Sequence, residues 1–248
     1  MAIETITDIT IENNDEAPLI NAAVVSARSD RFFYLIFKRF FDLVFSLLVS
    51  LIIILPVCVI CLIIMVKDPG LPIYIHKRIG KDGKQIKVAK LRSMKKGADR
   101  LVNMLTPEQL AKYKMEFKLD DDPRLIGYKE DGDSKSCFGA TIRRLSLDEL
   151  PQIIWNICIM GNMSVVGPRP VLKEELEKHY TEEEQREFVS VKPGLTGYWQ
   201  AYARNNATYE SGERQRMELY YIRNRSFWLD LKIVFDTMGA VIRKRGAK

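Results

Sequence analysis

Two carboxylates stand side by side at Asp148 and Glu149, inside the stretch Ile142–Gln152, "IRRLSLDELPQ", just after the paired guanidiniums of Arg143 and Arg144. The leucines threaded among them follow a burial pattern, so the charges need a partner other than open water. An ionised aspartate is a competent nucleophile, and a glutamate beside it can hold a hard cation. A carboxylate approaching a phosphate meets a repulsion of about 4 kcal/mol per charge pair at about 4 Å and an effective dielectric near 20. Arg143, Arg144 and a Mg²⁺ ion shared with substrate phosphates are the available counterweights. A plainer reading is also open, with the arginines as a solvated or lipid-facing basic strip.

The same residues match a capping box, in which Ser146 caps a helix, Glu149 reaches back and Asp148 favours the positive helix end. Pro151 opposes a start at Ser146, because its missing N–H would then fall where a bond to Leu147 is due. A helix starting nearer Asp148 removes the conflict and leaves the carboxylates at its mouth, where positive potential keeps them ionised.

Further anion-binding signals lie downstream. Gly167-Pro168-Arg169-Pro170 presents one arginine from a backbone stiffened on both sides, which suits bidentate grip of a phosphate; a rigid turn with an exposed arginine is the alternative. Lys192-Pro193-Gly194 reads as a type II turn leading to Tyr198 and Trp199, aromatics that stack on a base, sit at an interface or, most commonly, pack in a core. Asp120, Asp121 and Asp122 before Pro123-Arg124 are metal candidates or, more ordinarily, a solvated turn.

The elements that must position these residues come from a chain of 248 residues, 47% apolar and 28% charged, with a formal net charge of +6. The stretch to Ala27 holds Glu4, Asp8, Glu12, Asp15 and Glu16 without a lysine or arginine, so a basic body follows an acidic tail. Anionic lipid or a phosphorylated substrate suits that body as well as nucleic acid does. The four cysteines support neither a disulfide framework nor a zinc site, and two histidines leave little for a histidine-based metal site or triad. Any catalysis must therefore rest on carboxylates, lysines and arginines.

Residues 1–31 read as a polar mobile tail. Phe40–Val66 is a membrane segment in which Asp42 is the only charge and Pro56 the break. Its legs of about 24 Å and about 16 Å are each too short to cross a core of about 30 Å. Basic residues flank both ends (Arg28, Arg31, Lys38, Arg39; Lys67, Lys77, Arg78), which directs both to the cytosol. A helix bent at Pro56 that enters and leaves by one face satisfies this; a tilted, kinked span is the alternative. Beyond it, Ile73, Ile75, Ile86 and Val88 alternate around Asp82-Gly83 as a hairpin. Thr106-Pro107-Glu108-Gln109 opens a helix over Pro107–Lys118. Residues Asp120–Gly139 read as a loop. Helical patterns follow at Gln152–Met160, Leu172–His179, Glu182–Val189 and Glu213–Asn224. Phe227–Arg243 is amphipathic, with Trp228, Leu231, Val234, Phe235 and Ile242 available to a bilayer surface. The fold class expected is mainly α with a few short strands.

Taken in order, the proline-broken apolar segment, "KRIGKDGK" with "KLRSM", "DPR", "IRRLSLDELPQ", "GNMSVVGPRP" and "KPGLTGYWQ" resemble the bacterial sugar transferases, monotopic polyprenyl-phosphate phosphoglycosyl transferases, from about Lys38 to the C-terminus. The resemblance implies transfer of hexose 1-phosphate from a UDP-sugar to undecaprenyl phosphate, with UMP released, at the start of surface glycan assembly. It implies Asp148 as nucleophile through a covalent phosphosugar intermediate and Glu149 as a Mg²⁺ ligand. Arg143 and Arg169 would bind phosphate, with Lys90 and Arg92 lining the same site. It further implies a re-entrant helix at 32–67 broken at Pro56 and a catalytic domain at 68–248 on the cytosolic face of the bacterial inner membrane. The partners are the donor, the lipid acceptor and membrane lipid, without nucleic acid; a homo-oligomer is compatible. The small form is expected, without the additional spanning helices some members carry. Several positions depart from the pattern: Gln152–Gly161 is longer than usual, Asn162 stands where aspartate is frequent, and Leu55 replaces a common serine. The competing class is a non-catalytic basic scaffold that grips anionic lipid.

Overall fold

The computed structural model describes residues 16–116, 119, 121–129, 137–203, 209 and 211–242. Lys118, Asp120, Arg243 and the part of the tail ahead of Glu16 lie outside the described residues.

Helix α1 runs over Glu16–Lys67, 52 residues, with Pro56 inside it and Lys67 in its last turn. It begins well before the apolar run. Pro18 sits in the first turn, where its missing N–H has no helical partner to lose, and Leu19, Ala22, Ala23, Ala27 and Arg28 after it favour a helix. Over Phe32–Lys67 it is long and apolar enough to cross a membrane by length and composition, yet only 11% of its most apolar stretch is buried, so it is not a core helix. One stripe, Asp42, Ser46, Val57 and Ile64, is buried at helical spacing against the rest of the protein. Leu47, Leu51, Leu55, Leu62 and Val66 are exposed.

The expected hairpin forms from β1 (Ile73–Ile79) and β2 (Gln85–Leu91), antiparallel, with Tyr74 opposite Lys90, His76 opposite Val88 and Arg78 opposite Ile86. A 3₁₀ turn at Lys81–Gly83 closes it, with Asp82 at φ 59° and Gly83 at φ 71°. Next come α2 (Leu101–Met104) and α3 (Pro107–Glu116), the latter opened by the anticipated reciprocal bonds between Thr106 and Gln109.

α4 (Phe138–Arg144) starts within the stretch read as loop. Its Gly139 lets the helix press onto the β2 exit, where a Cβ would lie 2.3 Å from the Ser93 carbonyl oxygen. A helical run then changes pitch twice: 3₁₀ at Leu147–Glu149, α5 at Leu150–Gln152, and a π-helix at Ile153–Ile159. The lengthened Gln152–Gly161 stretch is thus helical as expected but wider than an α-helix.

β3 (Ser164–Val166) follows, then α6 (Lys173–His179) and α7 (Glu182–Phe188). β4 (Gly194–Thr196) pairs parallel with β3, a pairing too short to announce itself in the sequence. The chain ends through α8 (Tyr198–Tyr202), α9 (Glu213–Asn224) and α10 (Phe227–Ile242). The fold is therefore mostly helical with a few short strands. On α10, Trp228, Phe235 and Met238 are exposed, but Val234, expected at the bilayer face, is buried with Ile233.

Two apolar cores result. One gathers Ile157, Met163, Val165, Tyr221, Ile222 and Ile233; the other gathers Val57, Ile64, Leu91, Ile126 and Ile142. α1 joins both, packing Phe41 and Phe45 on the first and contributing Val57 and Ile64 to the second. Polar contacts fix it at mid-length and just past its C-terminal end. Asp42 accepts from the Ser164 hydroxyl at 2.8 Å and the Val165 N–H at 2.8 Å. Asp68, just past that end, accepts from Arg92 at 2.6 Å and the Lys96 N–H at 2.9 Å.

Candidate functional site

The capping box does not form. Ser146 takes a left-handed conformation at φ 56° and its side chain does not cap the helix. The first turn starts at Leu147, and Pro151 falls in the first turn of α5, where it costs no hydrogen bond. The backbone reversal at Ser146 turns the chain out of α4 and brings Asp148 and Glu149 against β2. Lys90 projects between them, its Nζ 2.9 Å from Glu149 Oε1 and 3.7 Å from Asp148 Oδ2.

Burial pushes the Asp148 carboxyl above the ordinary carboxylate range. Lys90 opposes this most, Glu149 adds repulsion, and Arg143 helps to lower it. The helix starts near Asp148 as expected, but its mouth does not set the ionisation: desolvation dominates at Asp148, opposed most by a lysine from the neighbouring strand. Arg143 is steered by its Nε donating to Ser93 Oγ at 2.8 Å. Arg144 is exposed at the end of α4.

Lys90, expected as a site residue, thus stands between the two carboxylates. Arg92 is placed elsewhere, with its guanidinium bonded to the carboxylate and the carbonyl of Asp68, where it clamps the end of α1. Asp122 is likewise committed, held by Arg124 in a buried pair with bonds of 2.7 Å. Asp121 accepts from the Tyr128 hydroxyl at 3.1 Å. Pro56 is exposed within α1.

Arg169 belongs to a second cluster. Its N–H donates to Glu218 Oε1 at 3.3 Å, and its guanidinium lies 5.6 Å from the Trp199 ring centre. Arg214 covers Trp199 at 4.2 Å and Tyr209 at 3.9 Å, and Glu175 joins Arg214 (3.4 Å) to Arg78 (3.6 Å). Trp199 is 5% exposed between two guanidiniums, so it is not a free platform for a base. Burial raises the Glu218 carboxyl to about 7, with Arg214 opposing.

The two clusters meet through the hairpin. Strand alternation sets Lys90, His76 and Arg78 on one face, and Arg78 lies 3.3 Å from His76 Nδ1. Burial, then Arg78 and Lys90, push His76 down to about 4, which keeps it neutral near pH 7 and able to accept from Arg78. The sequence reading missed His76, Arg78, Glu175, Arg214 and Glu218. For His76 and Arg78 the signal was present in the register of the hairpin opposite Lys90.

Among the described residues no group of three or more metal-ligating side chains exists. A magnesium ion needs only one or two carboxylates, substrate oxygens and water supplying the rest, so the Asp148–Glu149 pair fits one.

Fold and site together define a membrane-associated protein whose half-buried carboxylate pair is set beside a lysine, with Arg143 nearby. The chain belongs to the bacterial sugar transferase family, whose model matches residues 33–244. It is 38% identical over 197 residues to the UDP-galactose-lipid carrier transferase of Erwinia amylovora, covering 78% of this chain and 38% of that protein. It is 37% identical over 191 residues to the exopolysaccharide production protein ExoY of Rhizobium meliloti, covering 76% of this chain and 77% of that one. It is 37% identical over 193 residues to the UDP-glucose:undecaprenyl-phosphate glucose-1-phosphate transferase of Escherichia coli, covering 73% of this chain and 35% of that protein. The chain thus spans well under half the length of the first and third of these relatives.

Proposed function

We propose that the protein transfers hexose 1-phosphate from a UDP-sugar to undecaprenyl phosphate at the cytosolic face of the bacterial inner membrane, the first step of a surface glycan. The observation that carries this reading is the contact of Lys90 with both Asp148 and Glu149.

In the first step an Asp148 carboxylate oxygen attacks the phosphorus that bears the sugar, and the bond from that phosphorus to the bridging oxygen breaks. UMP leaves with the electron pair, and an aspartyl phosphosugar remains. In the second step an oxygen of the lipid phosphate attacks the same phosphorus and expels the Asp148 carboxylate, which restores the enzyme. Glu149 would hold Mg²⁺ with substrate oxygens, and the ion when bound supplies neutralisation of phosphate charge. Lys90 and Arg143 reduce the repulsion between carboxylate and phosphate, and Arg169 grips phosphate from its stiff loop.

A re-entrant α1 is part of the proposal. Asp42, near the start of the apolar run, and Asp68, just past its end, both bond to the body that carries the site, which favours entry and exit by one face with Pro56 near the turning point. The test is UMP release from a panel of UDP-sugars with Mg²⁺, with and without undecaprenyl phosphate. Release is expected for one or a few sugars and is lost in Asp148→Asn; wild-type release by that variant would refute the assignment.

A further inference from the structure

β2 is the edge of a two-stranded sheet, and one side chain closes that edge. Asn156, wholly buried at 0% exposure in the π-helix, spans the strand's outer backbone groups. Its Oδ1 accepts from the Ala89 N–H at 3.0 Å, and its Nδ2 donates to the Lys87 carbonyl at 2.7 Å. Nδ2 also donates to Asn162 Oδ1 at 3.0 Å, and the Asn156 carbonyl accepts from the N–H groups of Asn162 at 3.1 Å and Met163 at 3.3 Å. This set of partners fixes the amide orientation, since a flip would set acceptor against acceptor and donor against donor.

The strand held in this way carries Lys90 immediately after Ala89. The helical run that carries Asn156 opens with Asp148 and Glu149. One buried carboxamide therefore ties the element bearing the two carboxylates to the element bearing their counter-ion. The wide turn matters to this geometry, because the Met160 N–H bonds to the Trp155 carbonyl at 2.8 Å in the longer-range pattern of a π-helix.

We propose that Asn156 is a positioning residue for the transfer reaction: by locking β2 to the carboxylate helix it sets Lys90 relative to Asp148 and Glu149. The inference rests on the reading of Asp148 as the nucleophile. At a Lys90–Asp148 separation of 3.7 Å, a small slide of the strand removes the contact. Misplacement by about 1 Å of this kind costs on the order of 100-fold in rate.

The test measures kcat and donor KM on purified protein with UDP-sugar and undecaprenyl phosphate, using single-turnover quench where turnover is slow. Asn156→Ala is expected to lower kcat by about 100-fold with donor KM nearly unchanged. Asn162→Ala, which leaves both bonds to β2 in place, shows a smaller loss in the same direction. In a double-mutant cycle with Lys90→Met, the combined variant is expected to be within about threefold of Lys90→Met alone, because Asn156 acts through Lys90. Losses that multiply, or unchanged kcat in folded Asn156→Ala, overturn the proposal. If Asn156→Ala does not fold, Asn156→Asp, which keeps the acceptor for the Ala89 N–H and loses the donor to the Lys87 carbonyl, takes its place in the same cycle. Asp148→Asn separates the levels: wild-type turnover there refutes the underlying mechanism, whereas inactivity combined with multiplying losses refutes the positioning role alone.

Discussion

Asp148 is held between burial, which favours its protonated form, and Lys90, which favours its charge. Activity that needs the ionised form should fall on the acid side as pH drops through this raised pKa. Lys90→Met removes the main opposing charge, so the acid limb of kcat against pH should move to higher pH while the rate falls by about 100-fold. An unmoved limb with an unchanged rate would remove Lys90 from the mechanism. Glu218 permits a second pH prediction, for stability. Its pKa rises on folding to about 7, so its favourable contribution is full below the unfolded carboxylate range and is lost as pH rises through 7. The swing is about 3 kcal/mol at most, and melting of Glu218→Gln across pH 5 to 8 should be flatter than wild type by that order. At this scale the carboxylate pair was legible, because adjacent charges among leucines demand a partner. The identity of that partner was not, since Lys90 meets Asp148 only through the fold and Arg92 turns instead to Asp68.

Elements with a strong local signal were readable, including the hairpin around Asp82-Gly83 and the Thr106–Gln109 cap. The left-handed Ser146 and the π-helix were not, because a capping-box pattern and a helical period look the same whether or not the turn is tight. Nor does sequence reveal which buried polar groups join distant elements. Asp230 of α10 is such a group: it accepts from Lys38 at 2.7 Å, Tyr34 at 2.9 Å and Tyr221 at 2.7 Å, and so fastens α1 to the C-terminal helix. Asp230→Ala leaves the Lys38 ammonium without its carboxylate, and a loss of about 3 kcal/mol is expected. Thermal or denaturant unfolding in detergent micelles checks it; unchanged stability would mean that the two helices are held by apolar packing alone.

For the whole molecule, the basic flanks, the proline-containing apolar segment and the basic motifs around the carboxylates were visible in the sequence, whereas the contact of α1 with both cores was not. That contact yields a topology prediction. Single cysteines introduced at Phe32 and Gly70 in a cysteine-free background should both resist an impermeant thiol reagent in intact cells and both react in inverted membranes. Labelling of either one from outside would contradict the re-entrant reading. The proposed transfer depends on a bond between Asp148 and the transferred phosphosugar. The most direct measurement is intact-protein and peptide mass spectrometry after incubation with Mg²⁺ and the UDP-sugar, without lipid acceptor. One hexose-phosphate adduct is expected on the peptide that contains Asp148, discharged when undecaprenyl phosphate is added. An adduct on another residue, or turnover by Asp148→Asn at the wild-type rate, would contradict it.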